Sequence, residues 1–483
     1  MFAIPGPSDI TGAAQLAAQE LYQENKTLGF YGQEQLAWKN RRFLTAALRA
    51  DGNSAFGANF SAVYYPKFSF SWVASEEPFL ANSKIFSQLK FRGAWGRAGQ
   101  QPDIFSAIRT YQPKVGHGGL GGVSPQNFGN PDLKPEIGEE SELGFDMGLF
   151  KQRMGLQFTF YTKDVKDAIL SLPVKPSRGF PGFQFVNIGK TRNRGIEVAV
   201  DGTPISSRNL GVDLRLTLAT NTSTILDLGG TPPSFVGADF LQQWNVEGFA
   251  PGSFFYRKVL SSTVKKFGVL PIGIDPVCEG GTDLGRGNGT QVPCLDETTG
   301  QQAPRIYAGR PTPKWNGSLS ATITLGRRLR LLGLLDGLGG NTVDVGDIAA
   351  VHTFFFNSKA VLTGDPVLSG YIGTWQLQGD ANAVGALGLI KGGYIKLRTV
   401  SASYDVPEHY TRWLGASRGS ITVAAENLAI LWREQKDVFG VPWIDPEISA
   451  NFPGVTGQYS NYGYIQESFP QAARIRTTIR LTF

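Results

Sequence analysis

The last eleven residues of the chain, 473–483, place the strongest limit on its fold. Apolar residues fill all but one of the odd positions, arginine or threonine fills the even ones, and the segment ends on an aromatic residue. Successive side chains of a β-strand point to opposite faces, so the pattern predicts one apolar and one cationic face. A soluble sandwich also shows such alternation, but a strand of about 9–11 residues with an aromatic end is more typical of a transmembrane β-barrel. The apolar face would carry Ala473, Ile475, Ile479, Leu481 and Phe483, and the cationic face Arg474, Arg476, Thr478, Arg480 and Thr482.

The composition fits a membrane protein that spans with strands rather than helices. Hydrophobic residues make up 41% of the 483 residues, the mean hydropathy is −0.14, and no apolar run of about 18 residues occurs. In a barrel only every second strand residue faces lipid. The net charge of +6 would suit nucleic acid, but no block of five or six basic residues exists. We therefore expect no nucleic-acid partner, and we place many of the arginines in a polar barrel lumen.

Cys278 and Cys294 are the only cysteines, and both lie in one loop rich in glycine and aspartate. Such a pair forms either a loop disulfide in an oxidising compartment or two free thiols. A metal site is not expected, because no histidine or further cysteine stands nearby. We favour the disulfide, because the other patterns indicate an exported protein.

The two-residue period recurs along the chain and predicts thirteen antiparallel strands. It is clearest where Leu143, Phe145, Met147 and Leu149 alternate with polar residues or glycine. The predicted strands are 28–37, 41–51, 66–75, 86–98, 139–150, 154–164, 193–201, 210–221, 315–325, 328–335, 393–405, 418–430 and 471–483.

The connections between these strands have two sizes that alternate along the chain. The short ones are 38–40, 76–85, 151–153, 202–209, 326–327 and 406–417, and the long ones are 52–65, 99–138, 165–192, 222–314, 336–392 and 431–470. An up-and-down transmembrane barrel with short periplasmic turns and long extracellular loops predicts this alternation. Long structureless loops are uncommon in a compact soluble domain. In the short connection 406–417, Pro407 and Gly415 bracket a predicted periplasmic helix, 407–415.

Thirteen strands is an odd number, whereas a closed bacterial barrel has an even number and keeps both ends in the periplasm. An open edge in lipid would leave backbone groups without partners. We therefore expect residues 28–483 to be the C-terminal portion of a larger barrel, and 1–27 to be a loop or other non-barrel segment. The first residues lack the basic and apolar regions of a signal peptide, so we expect the natural N-terminal region to be missing.

Eight stretches, in one order along the chain, resemble the C-terminal barrel of TonB-dependent outer-membrane transporters, in particular the SusC/RagA-like family. Each motif is weak alone, whereas the ordered set is specific and covers nearly the whole chain from about residue 28. The stretches are FLTAALRADGNSAFG (43–57), YYPKFSFSWVASEEPF (64–79), LKFRGAWGRAG (89–99), NPDLKPEIGEESELGFDMGLF (130–150), NIGKTRNRGIEVAV (187–200), GYIKLRTVSASYDVP (393–407), ENLAILW (426–432) and DPEI (445–448).

The resemblance implies an antiparallel barrel surrounded by lipid in the outer membrane of a Gram-negative cell. It implies active import of oligosaccharides or peptides with a SusD-like surface lipoprotein, driven by the TonB complex through an N-terminal region with a plug domain. It implies no enzymatic activity and no cofactor. The sequence shows no match to the family's signal peptide, N-terminal β-sandwich, TonB box or plug.

No catalytic, cofactor or metal residue is predicted, and no substrate-binding residue is assigned. His117, His352 and His409 are scattered, and neither a GxSxG nor an HExxH motif occurs. The glycine-rich segment 118–122 lacks the GK[ST] ending of a phosphate loop.

Two short acidic segments have two interpretations each. Asp51-Gly52-Asn53-Ser54 is either a calcium loop or, as we favour, a turn, because these residues are turn formers. Asp445-Pro446-Glu447 either contacts a partner or substrate or, as we favour, orders its own loop.

Two further groups are candidates for contact with a transported molecule. The strand charges of the predicted lumen line a transport path or pair across strands, and we favour pairing; they are Glu142, Asp146, Glu197, Asp213, Arg215, Arg474, Arg476 and Arg480. The long-loop aromatics stack on sugar rings or pack within loops; they are Trp244, Tyr256, Trp375, Trp443 and Tyr459.

The alternative function is a secreted or surface β-rich adhesin or carbohydrate-binding protein. An outer-membrane enzyme is a weaker third interpretation, because the chain lacks a catalytic constellation. Detergent dependence separates the first two, since a transporter does not partition into water.

Overall fold

The computed structural model describes residues 24–59, 62–115, 120–179, 183–236, 242–354, 358–380, 382–442, 445, 447, 463–465 and 471–483. Almost all of the predicted non-barrel segment 1–27 therefore lies outside the described residues. The strands are, in chain order, β1 Thr27–Trp38, β2 Arg42–Asn53, β3 Val63–Val73, β4 Phe86–Gln100, β5 Thr110–Val115, β6 Gly121–Asn127, β7 Glu136–Leu149, β8 Met154–Pro173, β9 Phe183–Ser206, β10 Leu210–Thr220, β11 Thr222–Asp227, β12 Ser234–Phe235, β13 Gln243–Asn245, β14 Ser253–Tyr256, β15 Val259–Phe267, β16 Leu270–Gly281, β17 Gly287–Pro293, β18 Ile306–Gly309, β19 Trp315–Leu325, β20 Leu329–Gly339, β21 Thr342–Val345, β22 Leu389–Lys391, β23 Tyr394–Val406, β24 Arg418–Arg433, β25 Asp437–Val438, β26 Val441–Pro442, β27 Tyr464–Ile465 and β28 Arg474–Thr482.

Helices are few and short. The α-helices are α1 Gly346–Thr353, α2 Lys359–Thr363, α3 Pro366–Gln376 and α4 Glu408–Trp413, and the 3-10 helices are Ala74–Glu76, Pro176–Arg178 and Ala383–Gly388. None of the described helices is long and apolar enough to cross a membrane. The predicted helix at 407–415 is confirmed as α4, which Pro407 precedes and Gly415 follows.

Thirteen long strands form one antiparallel sheet in the order β1-β2-β3-β4-β7-β8-β9-β10-β19-β20-β23-β24-β28. Each predicted strand corresponds to one of these, which confirms the all-β, antiparallel up-and-down prediction. The short strand β11 also pairs with β9. Within the described residues, β1 and β28 are the outermost members, and each is exposed along its whole length.

The alternating sequence gives this sheet two chemically different faces, because directly paired residues of neighbouring strands share a face. Leu44 pairs with Phe70, Phe145 with Phe158, and Leu216 with Leu319. The apolar face defined by this register includes Leu44, Leu48, Phe68, Phe70, Phe91, Leu143, Phe145, Phe158, Phe160, Ile196, Val198, Val200, Leu214, Leu216, Leu319, Ile323, Val400, Ile421, Val423, Ile475 and Ile479.

Aromatic rings form a band across the apolar face. The Phe91 ring lies 5.8 Å from Trp72 and 6.5 Å from Phe145, which in turn stacks on Phe158 at 5.4 Å. Contacts of this kind contribute roughly 0.5–1.5 kcal/mol each beyond the area they bury. Yet many apolar side chains of this face stay exposed, among them Leu143 and Ile475. An exposed apolar surface of this extent indicates a surface made to contact an apolar phase.

The sheet has a short-turn end and a long-loop end. At the long-loop end β8 and β9 continue as a paired hairpin to Pro173 and Phe183, so most of the predicted loop 165–192 is strand. Bulges between Val165 and Ile169 let this hairpin bend away from the sheet.

Two long connections, 222–314 and 336–392, fold together into a structure that we call the cap. Its largest core contains Val259 and both cysteines from the first connection, and Leu368 and Ile372 from the second. Helix α3 is preceded by its N-cap residue Asp365, whose carboxylate accepts hydrogen bonds from the backbone N–H groups of Val367 and Leu368. The apolar residues of α3 then pack on β15 and β16. The predicted loops are therefore partly a compact unit rather than irregular chain.

Candidate functional site

The other face of the sheet is polar and forms one wall of the candidate site. The register places on it all eight strand charges that the sequence singled out. Several pair across strands: Arg92 lies 3.3 Å from Asp146, and Arg476 lies 2.8 Å from Glu426. Arg474 also contacts Glu426, and the Thr203 hydroxyl donates to Asp213. Cross-strand pairing, the interpretation that we favoured, thus holds for Asp146, Asp213, Arg474 and Arg476.

A cavity of about 620 Å³ opens on the polar face between β1 and β8. Its lining carries the carboxylates Glu136, Glu140 and Glu142 and the amines Lys67 and Lys163. Gly96 pairs with Lys67, whose side chain lies close over it, since a Cβ at Gly96 would meet the Lys67 side chain at 3.1 Å. The cavity therefore presents both charge signs and offers hydrogen-bond donors and acceptors to a polar molecule.

A buried charge network, the rim cluster, sits at the long-loop end of the polar face. It consists of Asp336, Lys396, Arg398, Asp445 and Glu447. The Lys396 ammonium donates to Asp445 at 2.6 Å and to Glu447 at 2.8 Å, and its side chain is only 5% exposed. Arg398 binds Asp336 through two bonds of 2.8 and 2.7 Å and also donates to Glu447. These charge-assisted bonds fasten two residues of the last long connection to β23.

The rim cluster also sets the ionisation of Glu447. Burial opposes its charged form, but the hydrogen bonds from Arg398 and Lys396 outweigh burial and lower its pKa to about 2. A carboxylate with a lowered pKa contributes stability above its unfolded pKa of about 4.3, and this stability is lost as the pH falls towards 2. Glu447 is therefore ionised at neutral pH.

The rim cluster supports one of the two interpretations of Asp445-Pro446-Glu447. The Glu447 backbone N–H donates to the Asp445 carboxylate at 3.1 Å, and both carboxylates bind side chains of β23. Pro446 lies outside the described residues. The loop-ordering interpretation accounts for these contacts.

The segment Asp51-Gly52-Asn53-Ser54 is the end of β2 and the turn after it. Arg49 binds the Asp51 carboxylate at 2.8 Å, and the Asn53 side-chain oxygen accepts from the Ala55 backbone N–H at 2.7 Å. Across the residues that the structure describes, no group of three or more His, Cys, Asp or Glu side chains is placed to hold a metal ion. The turn interpretation accounts for these contacts.

The cap covers the long-loop end, and its core contains the predicted disulfide. Cys278 and Cys294 are bonded, with Cα atoms 4.9 Å apart, and both are fully buried. His352 is also buried: Nε2 donates to the Val438 carbonyl at 3.1 Å, so neutral Nδ1 accepts from Ser358. Burial lowers the pKa of His352, which fits a neutral packing residue. His409 lies on α4, far from His352 in the sequence, and His117 lies outside the described residues.

The loop aromatics are packing residues where they are described. Trp244 and Tyr256 are buried, Trp244 lies against Phe235 and beneath the Arg305 guanidinium, and Trp375 meets Phe354 edge-on. Trp443 and Tyr459 lie outside the described residues. Loop packing, one of the two interpretations, therefore accounts for three of the five.

Asp344 is a buried acid that sequence reasoning did not identify. It is 3% exposed in β21, and the Tyr256 hydroxyl donates to its carboxylate at 3.1 Å. Burial raises the pKa of Asp344 to about 7, although the Tyr256 hydrogen bond acts in the opposite direction. No local pattern marks it, because its burial depends on residues distant in sequence.

Asp344 should make the cap pH-dependent. Because the pKa of Asp344 is raised in the folded state, its contribution to the stability of the fold is full below pH about 4. This contribution is lost as the pH rises to about 7. We expect the protection of Thr342–Val345 against hydrogen exchange, corrected for the intrinsic pH dependence of amide exchange, to fall over this window in the wild type. Asp344→Asn keeps an acceptor for Tyr256 and should remove this dependence; an unchanged pH profile in this variant would contradict the assignment.

Comparison with known proteins agrees with this geometry. The family model described as TonB dependent receptor-like, beta-barrel, matches residues 3–428. The chain belongs to this family. Members of the TonB-dependent family are outer-membrane receptors and transporters of Gram-negative bacteria, not enzymes.

Individual TonB-dependent receptors are similar over long stretches. TonB-dependent receptor P26 of Formosa agariphila is 24% identical over 96% of this chain and 46% of its own length. TonB-dependent receptor SusC of Bacteroides thetaiotaomicron is 28% identical over 45% of this chain and 22% of its own length. The solved structure of the RagAB peptide transporter superposes with a TM-score of 0.75 at 17% identity, over 95% of this chain and 48% of that one. The chain thus spans about half the length of P26 and shares the RagAB fold.

The rim cluster was the main feature that the sequence analysis missed. One local signal was present, because Lys396 and Arg398 are two residues apart in a strand whose other neighbours are mostly apolar or small. The DPE segment was identified, but nothing in the sequence places it against β23. The partners are separated by 49 residues or more, so only the fold brings them together.

Proposed function

We propose that this chain forms the C-terminal portion, residues 28–483, of the barrel of an outer-membrane TonB-dependent transporter. One observation carries the proposal: a continuous apolar face and a continuous polar face share a thirteen-stranded up-and-down sheet. In a membrane the apolar face meets lipid, and the polar face lines a lumen. Residues 1–27 belong to a non-barrel segment except for Thr27, which already begins β1, and a plug and TonB-contacting region precede the barrel in the whole protein.

We further propose that the substrate is an oligomer, a glycan or a peptide, taken up with a SusD-like lipoprotein. The similarity to SusC and to the RagAB peptide transporter supports this. The polar cavity, with carboxylates and amines on one wall, suits a hydrated oligomer with many hydrogen-bonding groups. The cap lies where an external partner and substrate would arrive, and the barrel carries out no covalent chemistry.

The membrane orientation predicts opposite outcomes for two neighbouring residues. Leu216 faces the apolar side opposite Leu319, and Thr217 faces the polar side opposite Ser318. Arginine on the lipid face costs about 2–4 kcal/mol near the bilayer midplane. We expect Leu216→Arg to lower the yield of inserted, heat-modifiable protein in outer membranes, and Thr217→Arg to insert normally. Equal yields from both variants would contradict the proposal.

Phase partitioning separates this proposal from the secreted-adhesin alternative. The wild-type protein should partition into the detergent phase, and a strain without it should lose uptake of labelled oligosaccharides or peptides. Recovery of folded protein in the aqueous phase without detergent would support the alternative.

A further inference from the structure

The apolar face has an open groove near the short-turn end. It has a volume of about 650 Å³, and residues of β8, β9, β10 and β19 line it. Its apolar lining includes Met154, Val200, Leu214, Leu216 and Leu319, with Phe150 in the turn before β8 and Pro204 near the end of β9. We call it the Gly202 groove, because Gly202 forms its floor.

Gly202 lies on the apolar face, where it pairs with Met154 on one side and Leu214 on the other. Neither backbone conformation nor crowding requires glycine at this position. Its φ is not positive, and a Cβ would meet only the Arg153 carbonyl oxygen, at an ordinary contact distance of 3.6 Å. The bulge between Val212 and Leu214 widens the gap further, since β9 gains residues relative to β10 there. The missing side chain therefore creates space that the neighbours do not fill.

A basic residue borders the groove at its short-turn end. Arg153 lines it, and Lys151 is in the same turn; both side chains are exposed. Among the described residues, no carboxylate lies within ion-pair distance of either. Asp201 also borders the groove, but its carboxylate sits beside Gly155 on the polar face.

The same end of the sheet is basic at every turn. Exposed Lys or Arg side chains occur in all six short connections: Lys39, Lys84, Lys151, Arg153, Arg208, Arg327, Arg328 and Arg412. Two of the few acidic residues here are already paired, Glu77 with Arg41 and Arg42, and Glu408 with Arg412. A basic collar next to an apolar surface attracts anionic headgroups.

We propose that the Gly202 groove is a binding site for one phospholipid of the leaflet at the short-turn end. An acyl chain lies along the apolar lining, and the phosphate accepts hydrogen bonds from the Arg153 guanidinium, which pairs well with phosphate. The inference rests on the proposed function, because lipid reaches the groove only if the apolar face lies in a membrane.

Native mass spectrometry of the detergent-purified protein, titrated with phosphatidylglycerol, tests the site. We expect one lipid adduct whose affinity falls about tenfold in Gly202→Leu, which fills the groove, and in Arg153→Gln, which removes the cation. The matched controls are Gly333→Leu, a glycine of the apolar face with nothing within 4 Å of its Cβ, and Arg328→Gln in another turn. Both controls should keep the adduct.

The site would be overturned if Gly202→Leu bound the lipid with wild-type affinity. It would also be overturned if Gly333→Leu lost as much lipid affinity as Gly202→Leu. If Gly202→Leu lost lipid affinity and Arg153→Gln did not, the proposed contact between Arg153 and the phosphate would be overturned. Arg153→Gln changes only an exposed turn residue and should fold. It therefore still tests the site if Gly202→Leu fails to fold. If the wild type stays in the detergent phase while the variants bind lipid normally, the site fails and the transporter proposal stands.

Discussion

Replacing Lys396 with methionine is expected to destabilise the rim cluster by about 3–5 kcal/mol, the usual cost of leaving a buried charge without its partner. Methionine fills most of the space but leaves the Asp445 carboxylate, whose side chain is 7% exposed, without its 2.6 Å ammonium partner. Glu447 keeps Arg398, so the defect centres on Asp445. Limited proteolysis should show new cleavage beside Asp445 and Glu447, and hydrogen exchange should quicken at Asp437–Pro442.

Two variants sharpen this test. Lys163→Met removes a similar side chain from an exposed pair with Glu140 at 3.8 Å, and should change little, because exposed ion pairs contribute weakly. Lys396→Met with Asp445→Leu replaces both partners by apolar groups and should recover most of the lost protection. If the double variant is as unprotected as the single one, the loss comes from altered packing and not from the stranded charge.

Removing the disulfide is expected to weaken the cap by about 3 kcal/mol, the value for a closed loop of about 15 residues. Cys278→Ala with Cys294→Ala avoids placing a hydroxyl in a core that also contains Val259, Leu368 and Ile372. Hydrogen exchange should quicken in β16 and α3, while the β8–β9 hairpin of the sheet keeps its protection. This contrast follows because the bond lies within the cap.

Chemical reduction provides the control for this variant. A thiol reductant should reproduce the effect in the wild type and have no further effect on the alanine variant. If α3 were equally protected from hydrogen exchange in the wild type and in the alanine variant, with or without reductant, packing alone would hold the cap together.

The strands of the sheet were predictable because their pattern is local. Each position on a membrane strand faces either an apolar or a polar environment, so the two-residue period is written in the sequence itself. The last strand, predicted at 471–483, is observed as β28 at Arg474–Thr482. The first strand, predicted at 28–37, is observed as β1 at Thr27–Trp38. Towards the long-loop end the alternation of β8 and β9 fades, and the prediction ended β8 too early and began β9 too late.

The cap and the rim cluster were not predictable for the opposite reason. The cap core joins Val259 to Leu368, and the rim cluster joins Lys396 to Asp445. Such contacts depend on the tertiary fold, and short strands such as β12 and β13 carry too few residues to show a period. The disulfide could be anticipated only because two cysteines allow a single intramolecular pairing.

The two halves of the cap leave the sheet on either side of the β19–β20 hairpin, which separates them in the chain. The first half buries Trp244, Val246 and Phe255 in a cluster of its own, but the core that joins Val259 to Leu368 can form only when the hairpin has brought the two halves together. Exchange of surface loops between relatives must therefore move both connections as one module, because a graft of either alone would expose half a core. The unit that a graft has to transfer is therefore the pair of loops together with the β19–β20 hairpin as their shared stem.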